Sequence, residues 1–145
     1  MQTSLRTRCA TGSSSNRPVL NIVALRVLLV EDSRVLAERL RESLDTLDNV
    51  EVVGLVADET AAVAAVREQR PDVIILDLQL KEGTGFGVMQ RLGEMRPVII
   101  VFTNYMLPEY QRIASSLGVQ HFLNKSIDYE RLPQLLQEIG ASRPH

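Results

Sequence analysis

Residues 71–80 read Pro-Asp-Val-Ile-Ile-Leu-Asp-Leu-Gln-Leu. Four consecutive apolar residues, Val73 to Leu76, stop at an acid, Asp77. An unbroken apolar run behind a proline is the pattern of a parallel strand covered on both faces. Asp77 then sits at the carboxyl end of that strand, where open α/β sheets place their chemistry. A second run, Val27-Leu28-Leu29-Val30, gives way to Glu31 and Asp32 in the same manner. Three carboxylates at the ends of two apolar strands repel one another unless a cation or a proton intervenes.

Outward from these two runs the chain alternates. The first strand covers 26–30, and Ser33 is placed to cap the helix that follows. Leu36, Leu40, Leu44 and Leu47 recur at helical spacing and line one face. Residues 50–56 form a second strand, and Asp58 caps an Ala-rich second helix reaching Gln69. The third strand is 72–76, followed by a Gly83-Thr84-Gly85 loop and a helix through Val88, Met89 and Leu92. A fourth apolar run covers 97–102. Pro108 suits the first turn of a fourth helix, which Gly118 ends. The fifth strand is 119–123, and a last helix carries Leu132, Leu135, Leu136 and Ile139. Pro133 predicts that this helix starts close to it or kinks there.

Five such alternations predict a flavodoxin-like, doubly wound five-stranded parallel sheet in a single domain. Right-handed crossovers leave few topologies, and order 2-1-3-4-5 is the common one at this size. It puts a switch point between the first and third strands. Glu31, Asp32 and Asp77 end there, Thr103 follows the fourth strand, and Lys125 follows the fifth by two residues.

The chain has 145 residues, 45% of them hydrophobic, which suits one core. With 4% aromatic residues and no Trp, that core is aliphatic. The single cysteine, Cys9, excludes an internal disulfide and a multi-cysteine metal site. Net charge is −2, and the first 25 residues hold three arginines and no acid, which leaves −5 for the rest. An acidic body argues against nucleic acid as a direct partner. No apolar stretch approaches the ~20 residues that span a bilayer, so no membrane association is expected and a cytoplasmic location is the default. Residues 1–24 read as a disordered N-terminal extension, and 25–141 as the folded domain.

The charges on the rim suggest a chemistry. Carboxylates about 4 Å apart repel by several kcal/mol at an effective dielectric of about 20. Mg²⁺ relieves this, since it prefers oxygen ligands and keeps open positions. Lys125 adds a mobile cation for an oxyanion or phosphate, and Thr103 a hydroxyl. Asp77 is a candidate nucleophile, because carboxylates form aspartyl-phosphate intermediates. Metal and lysine together neutralise charge on a transferring phosphoryl group.

In order along the chain stand Val-Glu-Asp at 30–32, Leu-Asp-Leu at 76–78, Phe-Thr-Asn at 102–104 and Phe-Leu-Asn-Lys at 122–125. With this set the chain resembles the receiver domain of two-component response regulators over about residues 26–140. The resemblance implies that Asp77 accepts phosphate from a histidine kinase or a histidine phosphotransfer protein. It implies that Asp32 binds Mg²⁺ directly, Glu31 through water, and Gln79 by its backbone carbonyl. Lys125 bridges to the phosphoryl group, while Thr103 and Phe122 act as the switch pair. Self-catalysed transfer and autodephosphorylation are implied, with no conventional enzyme activity. Ser126 stands where the family usually has a cis proline, and Asn104 where it usually has a small residue. Gln79 and Tyr105 occupy positions that tune phosphoryl lifetime.

The chain reads as a stand-alone receiver that signals to an unidentified protein target by contact. The face of the fourth helix, fifth strand and fifth helix is the output surface, and kinase docking falls near the first helix. Two other readings stay open. One is a receiver-like adaptor that works without phosphorylation, favoured by Ser126 and Asn104. The other is an aspartyl-phosphate phosphatase, a class that commonly has a second acid two residues after the nucleophile, where this chain has Gln79. Gly83, Gly85 and Gly87 do not form a dinucleotide fingerprint, and no P-loop motif occurs.

Overall fold

The computed structural model describes residues 24–94 and 97–142. All of the expected extension 1–24 except its last residue lies outside the described residues. Five strands alternate with five helices. The strands are β1 (Leu25–Val30), β2 (Val50–Val56), β3 (Val73–Leu76), β4 (Val98–Thr103) and β5 (His121–Asn124). The helices are α1 (Arg34–Asp45), α2 (Glu59–Gln69), α3 (Gly85–Leu92), α4 (Pro108–Ser116) and α5 (Arg131–Ala141). The sheet is parallel throughout, in the order β2-β1-β3-β4-β5.

The unbroken apolar runs are explained by two separate cores. Successive side chains of a strand point to opposite faces. Leu28, Val30, Ile74, Leu76, Ile99 and Val101 therefore pack on one side, against α2, α3 and Ala114 of α4. Val27, Leu29, Val73, Ile75, Ile100 and Phe102 pack on the other, against Leu40 and Leu44 of α1 and Leu132 and Leu136 of α5. The register keeps like faces together, since Leu28 pairs with Ile74 and Ile74 with Ile99. No helix among the described residues is long and apolar enough to cross a membrane.

Four strands differ from the sequence expectation by one or two residues at an end. β1 starts at Leu25 rather than 26, its N–H held by the Asn49 carbonyl at 2.7 Å, and β5 ends at Asn124 rather than 123. β3 starts at Val73 rather than 72, because the Asp72 carboxylate turns back to accept the Arg26 backbone N–H at 2.8 Å. β4 starts at Val98 rather than 97, since Pro97 has no N–H to give a ladder, and it runs on to Thr103. β5 starts at His121 rather than 119. The Val119 N–H is taken by the Ala114 carbonyl at 3.0 Å, closing α4 around the left-handed Gly118 (φ 90°). Leu47 lies beyond α1 yet packs on the same core as Leu44. Pro133 is the third residue of α5. The helix thus starts close to the proline, whose missing N–H falls among the first-turn donors that have no intrahelical partner, and no break is needed.

Ile74 is fully buried in β3, the middle strand. Ile74→Ala is expected to lower unfolding free energy by about 2–5 kcal/mol, read from the urea midpoint at constant slope. A loss well under about 1 kcal/mol would mean that the α2/α3 face is loosely packed.

Candidate functional site

Four strand ends assemble the site. The Glu31 backbone N–H is held by the Val56 carbonyl at 2.9 Å and that of Asp77 by the Val30 carbonyl at 3.1 Å, so both acids leave the sheet in fixed directions. Glu31 and Asp77 are buried, at 5% and 4% exposure, while Asp32 is exposed. Carboxylate oxygens of all three lie within 4.8 Å of one another. The Lys125 ammonium reaches between the buried pair, 2.6 Å from Asp77 Oδ2 and 2.8 Å from Glu31 Oε1. The second Glu31 oxygen accepts from the Ser33 backbone N–H at 2.9 Å, and Asp77 Oδ1 from that of Gln79 at 3.3 Å. A Cβ on Gly85 would stand 2.4 Å from the Asp77 carbonyl oxygen, so the start of α3 approaches the site only because that residue is glycine.

The charges are balanced from within the chain. Burial is the largest influence on Glu31 and raises its pKa; the Lys125 and Ser33 hydrogen bonds oppose this, and the Asp77 charge adds to it. Burial pulls the Lys125 ammonium down, but its hydrogen bonds to Asp77 and Glu31 and the charges behind them outweigh burial, so the net shift is upward.

The structure brings Glu31, Asp32, Asp77 and Lys125 together, as their positions in the sequence implied. Lys125 directly follows β5 rather than trailing it by two residues. Thr103 is the last residue of β4 rather than the first beyond it, and it is fully buried. Its hydroxyl, foreseen as a donor, here accepts the Tyr105 backbone N–H at 3.2 Å. Phe122 is half-buried on the core shared by Val101 and Ala114. Gln79 is exposed, and its residue bridges to Thr84.

Residues that the motif reading passed over hold the site in place. Among the described residues no peptide bond is cis, so Ser126 does not copy a cis proline. The Asn124 side-chain oxygen instead accepts from the backbone N–H of Ser126 at 2.7 Å and of Ile127 at 3.0 Å. The Asp128 carboxylate accepts from the Asn124 N–H at 2.9 Å. Asn-Lys-Ser is a sequence compatible with such an Asx turn, and that was the available signal. Glu59, in the first turn of α2, accepts from the Thr84 N–H at 3.0 Å and meets Arg91 at 3.4 Å, tying the loop after Asp77 to α2. Those contacts join segments distant in the chain and leave no local trace in the sequence.

The family model for the response regulator receiver domain matches residues 27–137. The chain belongs to the response regulator receiver family. The transcriptional regulatory protein BtsR of Salmonella typhi is 33% identical to this receiver over 120 residues, 82% of this chain and 49% of that protein. The sensory transduction protein LytT of Bacillus cereus is 29% identical over 116 residues, 79% of this chain and 46% of that protein. The chain thus spans about half the length of the curated relatives it matches. The REC domain of the Geobacillus stearothermophilus response regulator AraT superposes with a TM-score of 0.71 at 28% identity, over 82% of this chain and 95% of that one. The response regulator domain of Thermotoga maritima CheB superposes at 0.73 and 22% identity, over 83% and 99% respectively, and shows the shared fold. Two-component signalling is therefore this receiver's setting, and receiver domains bind Mg²⁺ at an acidic pocket of this kind.

Removing the cation from between two buried acids leaves their charges uncompensated. Lys125→Met is expected to destabilise the metal-free protein by about 3–5 kcal/mol at neutral pH. The loss should shrink as pH falls, because burial raises the Glu31 pKa and Lys125 lowers it, so without Lys125 the acid takes up a proton at higher pH than in the wild type and sheds the uncompensated charge. An unfolding midpoint equal to wild type at neutral pH contradicts the internal counter-ion. Asp128 behaves oppositely. The Asn124 N–H, and then Arg131, hold its carboxyl below the usual 3.8. Its stabilisation is complete above the unfolded value and is lost as pH falls through the lower folded one. The amide resonance of Asn124 should titrate with a midpoint below 3.8 and stop titrating in Asp128→Asn. A midpoint above that value removes the proposed anchor.

Proposed function

We propose that this receiver accepts a phosphoryl group on Asp77 from a histidine kinase or a histidine phosphotransfer protein, and signals by protein contact. The observation that carries the reading is the Asp77 carboxylate, buried at a strand end. It lies 2.6 Å from Lys125, with oxygens of Glu31 and Asp32 within 4.8 Å. The donor set suits Mg²⁺, being all oxygen, carrying excess negative charge, and open to solvent on the Asp32 side. Asp32, Asp77, Glu31 and the Gln79 backbone carbonyl would hold it. When bound, the ion supplies charge neutralisation for the phosphoryl oxygens.

The chain's own residues supply the remainder. The Asp77 carboxylate is oriented by the Gln79 N–H on Oδ1 and by Lys125 on Oδ2. An Asp77 oxygen attacks phosphorus as the bond from the donor's imidazole nitrogen to phosphorus breaks, and that nitrogen keeps the electron pair. Lys125, freed from the carboxylate oxygen that has lost its charge, follows the negative charge onto a phosphoryl oxygen. Thr103, one strand over, would exchange its Tyr105 contact for the phosphoryl group. Water attack at phosphorus later breaks the bond to the Asp77 oxygen, which keeps the electron pair, so inorganic phosphate leaves and the carboxylate is restored. Phosphorylation adds charge and acceptor oxygens, biasing Thr103, the loop to α4 and Phe122 toward a second arrangement. Tyr105, Leu107 and Ile113 expose apolar surface along the α4 side of the expected output face, and Ile127 does so after β5. Kinase or phosphotransfer docking is assigned to the neighbourhood of α1, and a cytoplasmic location goes with this role. No direct nucleic-acid contact is proposed.

Acetyl phosphate with Mg²⁺ is expected to add one phosphoryl mass to the wild-type chain. Asp77→Asn or a chelator should abolish the gain. Lys125→Met should slow it by about 10²-fold or more, by analogy with loss of one preorganised charge-stabilising donor. A wild-type chain that gains no mass favours the adaptor reading. Sustained turnover of a small phosphoester favours the phosphatase.

A further inference from the structure

Beyond the last β4–β5 ladder bond, from the Lys125 N–H to the Thr103 carbonyl at 3.0 Å, the chain opens into two loops. One begins with Asn104, directly after Thr103, and the other with Ser126, directly after Lys125. Among the described residues a single side-chain hydrogen bond joins these loops: the Ser126 hydroxyl donates to the Asn104 amide oxygen at 3.1 Å. The Asn124 side chain fixes the Ser126 backbone at 2.7 Å, and before phosphorylation the Thr103 hydroxyl holds the Tyr105 backbone at 3.2 Å. Asn104 and Ser126 are solvent-exposed, whereas Thr103 and Asp77 behind them are buried.

We propose that Asn104 and Ser126 form a clasp that makes the Thr103 segment and the Lys125 loop move as one, and that the clasp sets the lifetime of the phosphoryl group on Asp77. This rests on the phosphoacceptor reading above. Both are positioning residues: they act on the acyl phosphate through their neighbours, Thr103 and Lys125. With the clasp closed, the two groups stay at a fixed spacing around the phosphoryl oxygens. With it open, each loop relaxes separately and water reaches phosphorus more often.

The test is a double-mutant cycle on autodephosphorylation, using protein loaded with acetyl phosphate and Mg²⁺. Asn104→Ala and Ser126→Ala should each speed hydrolysis by about three- to fivefold, the effect of losing one neutral hydrogen bond. The double variant should be no faster than either single, and Ser126→Thr, which keeps the hydroxyl, should retain the wild-type rate. Amide spectra of the unphosphorylated protein should show reciprocity, with Ser126→Ala shifting Tyr105 and Asn104→Ala shifting Ile127. Additive rates, absent reciprocity, or a Ser126→Thr protein as fast as Ser126→Ala overturns the clasp while leaving the phosphoacceptor reading intact. A wild-type chain that takes up no phosphoryl group overturns that reading, and the lifetime claim with it.

Discussion

Two buried carboxylates, Glu31 and Asp77, share one ammonium, and the rest of the molecule is arranged to make that tolerable. Charges removed from water cost several kcal/mol each unless they are paired and hydrogen-bonded. Here Lys125 contacts both acids, and backbone N–H groups of Ser33 and Gln79 occupy their other oxygens. The pairing is satisfied yet incomplete, since exposed Asp32 adds a third negative charge beside it. Surplus negative charge around a single ammonium is what the proposed divalent ion would neutralise.

The sheet order is what permits this. Strands β1 and β3 are neighbours, so the residues following Val30 and Leu76 emerge side by side. β5 is at the edge, two strands from β3, and the long lysine side chain spans that gap from its end. A shorter residue at 125 would fall short of the acids, and an order that parted β1 from β3 would separate them. Under the proposed mechanism the loops after β4 and β5 are the parts that respond to a change at Asp77. Their leading residues, Asn104, Ser126 and Ile127, are exposed and held by side-chain hydrogen bonds, while Tyr129 farther along packs on the α1/α5 core. Local openings are drawn from segments of this kind.

The fold was legible because the apolar runs are long and uninterrupted; only residues packed between two helical layers need both faces apolar. Strand ends were less so. Val119 looks like a strand residue, and its N–H is spent on closing α4. The acidic cluster and Lys125 were readable from their order along the chain, since strand order converts that order into proximity. How Lys125 is aimed was not readable. The expectation leaned on a missing proline, whereas the loop is set by Asn124 and Asp128, whose roles appear only once the turn is formed. Glu59 was equally hidden, because its partners Thr84 and Arg91 lie far along the chain.

The central claim is that this acidic nest, held shut by one lysine, opens to a divalent ion. Calorimetric titration of Mg²⁺, with the Lys125 ammonium followed by nitrogen resonance, addresses it most directly. The account predicts saturable binding at one site, a shift of that resonance on binding, and weaker uptake in Glu31→Gln and Asp32→Asn. Heat no different from dilution, with the lysine resonance unmoved, would contradict it.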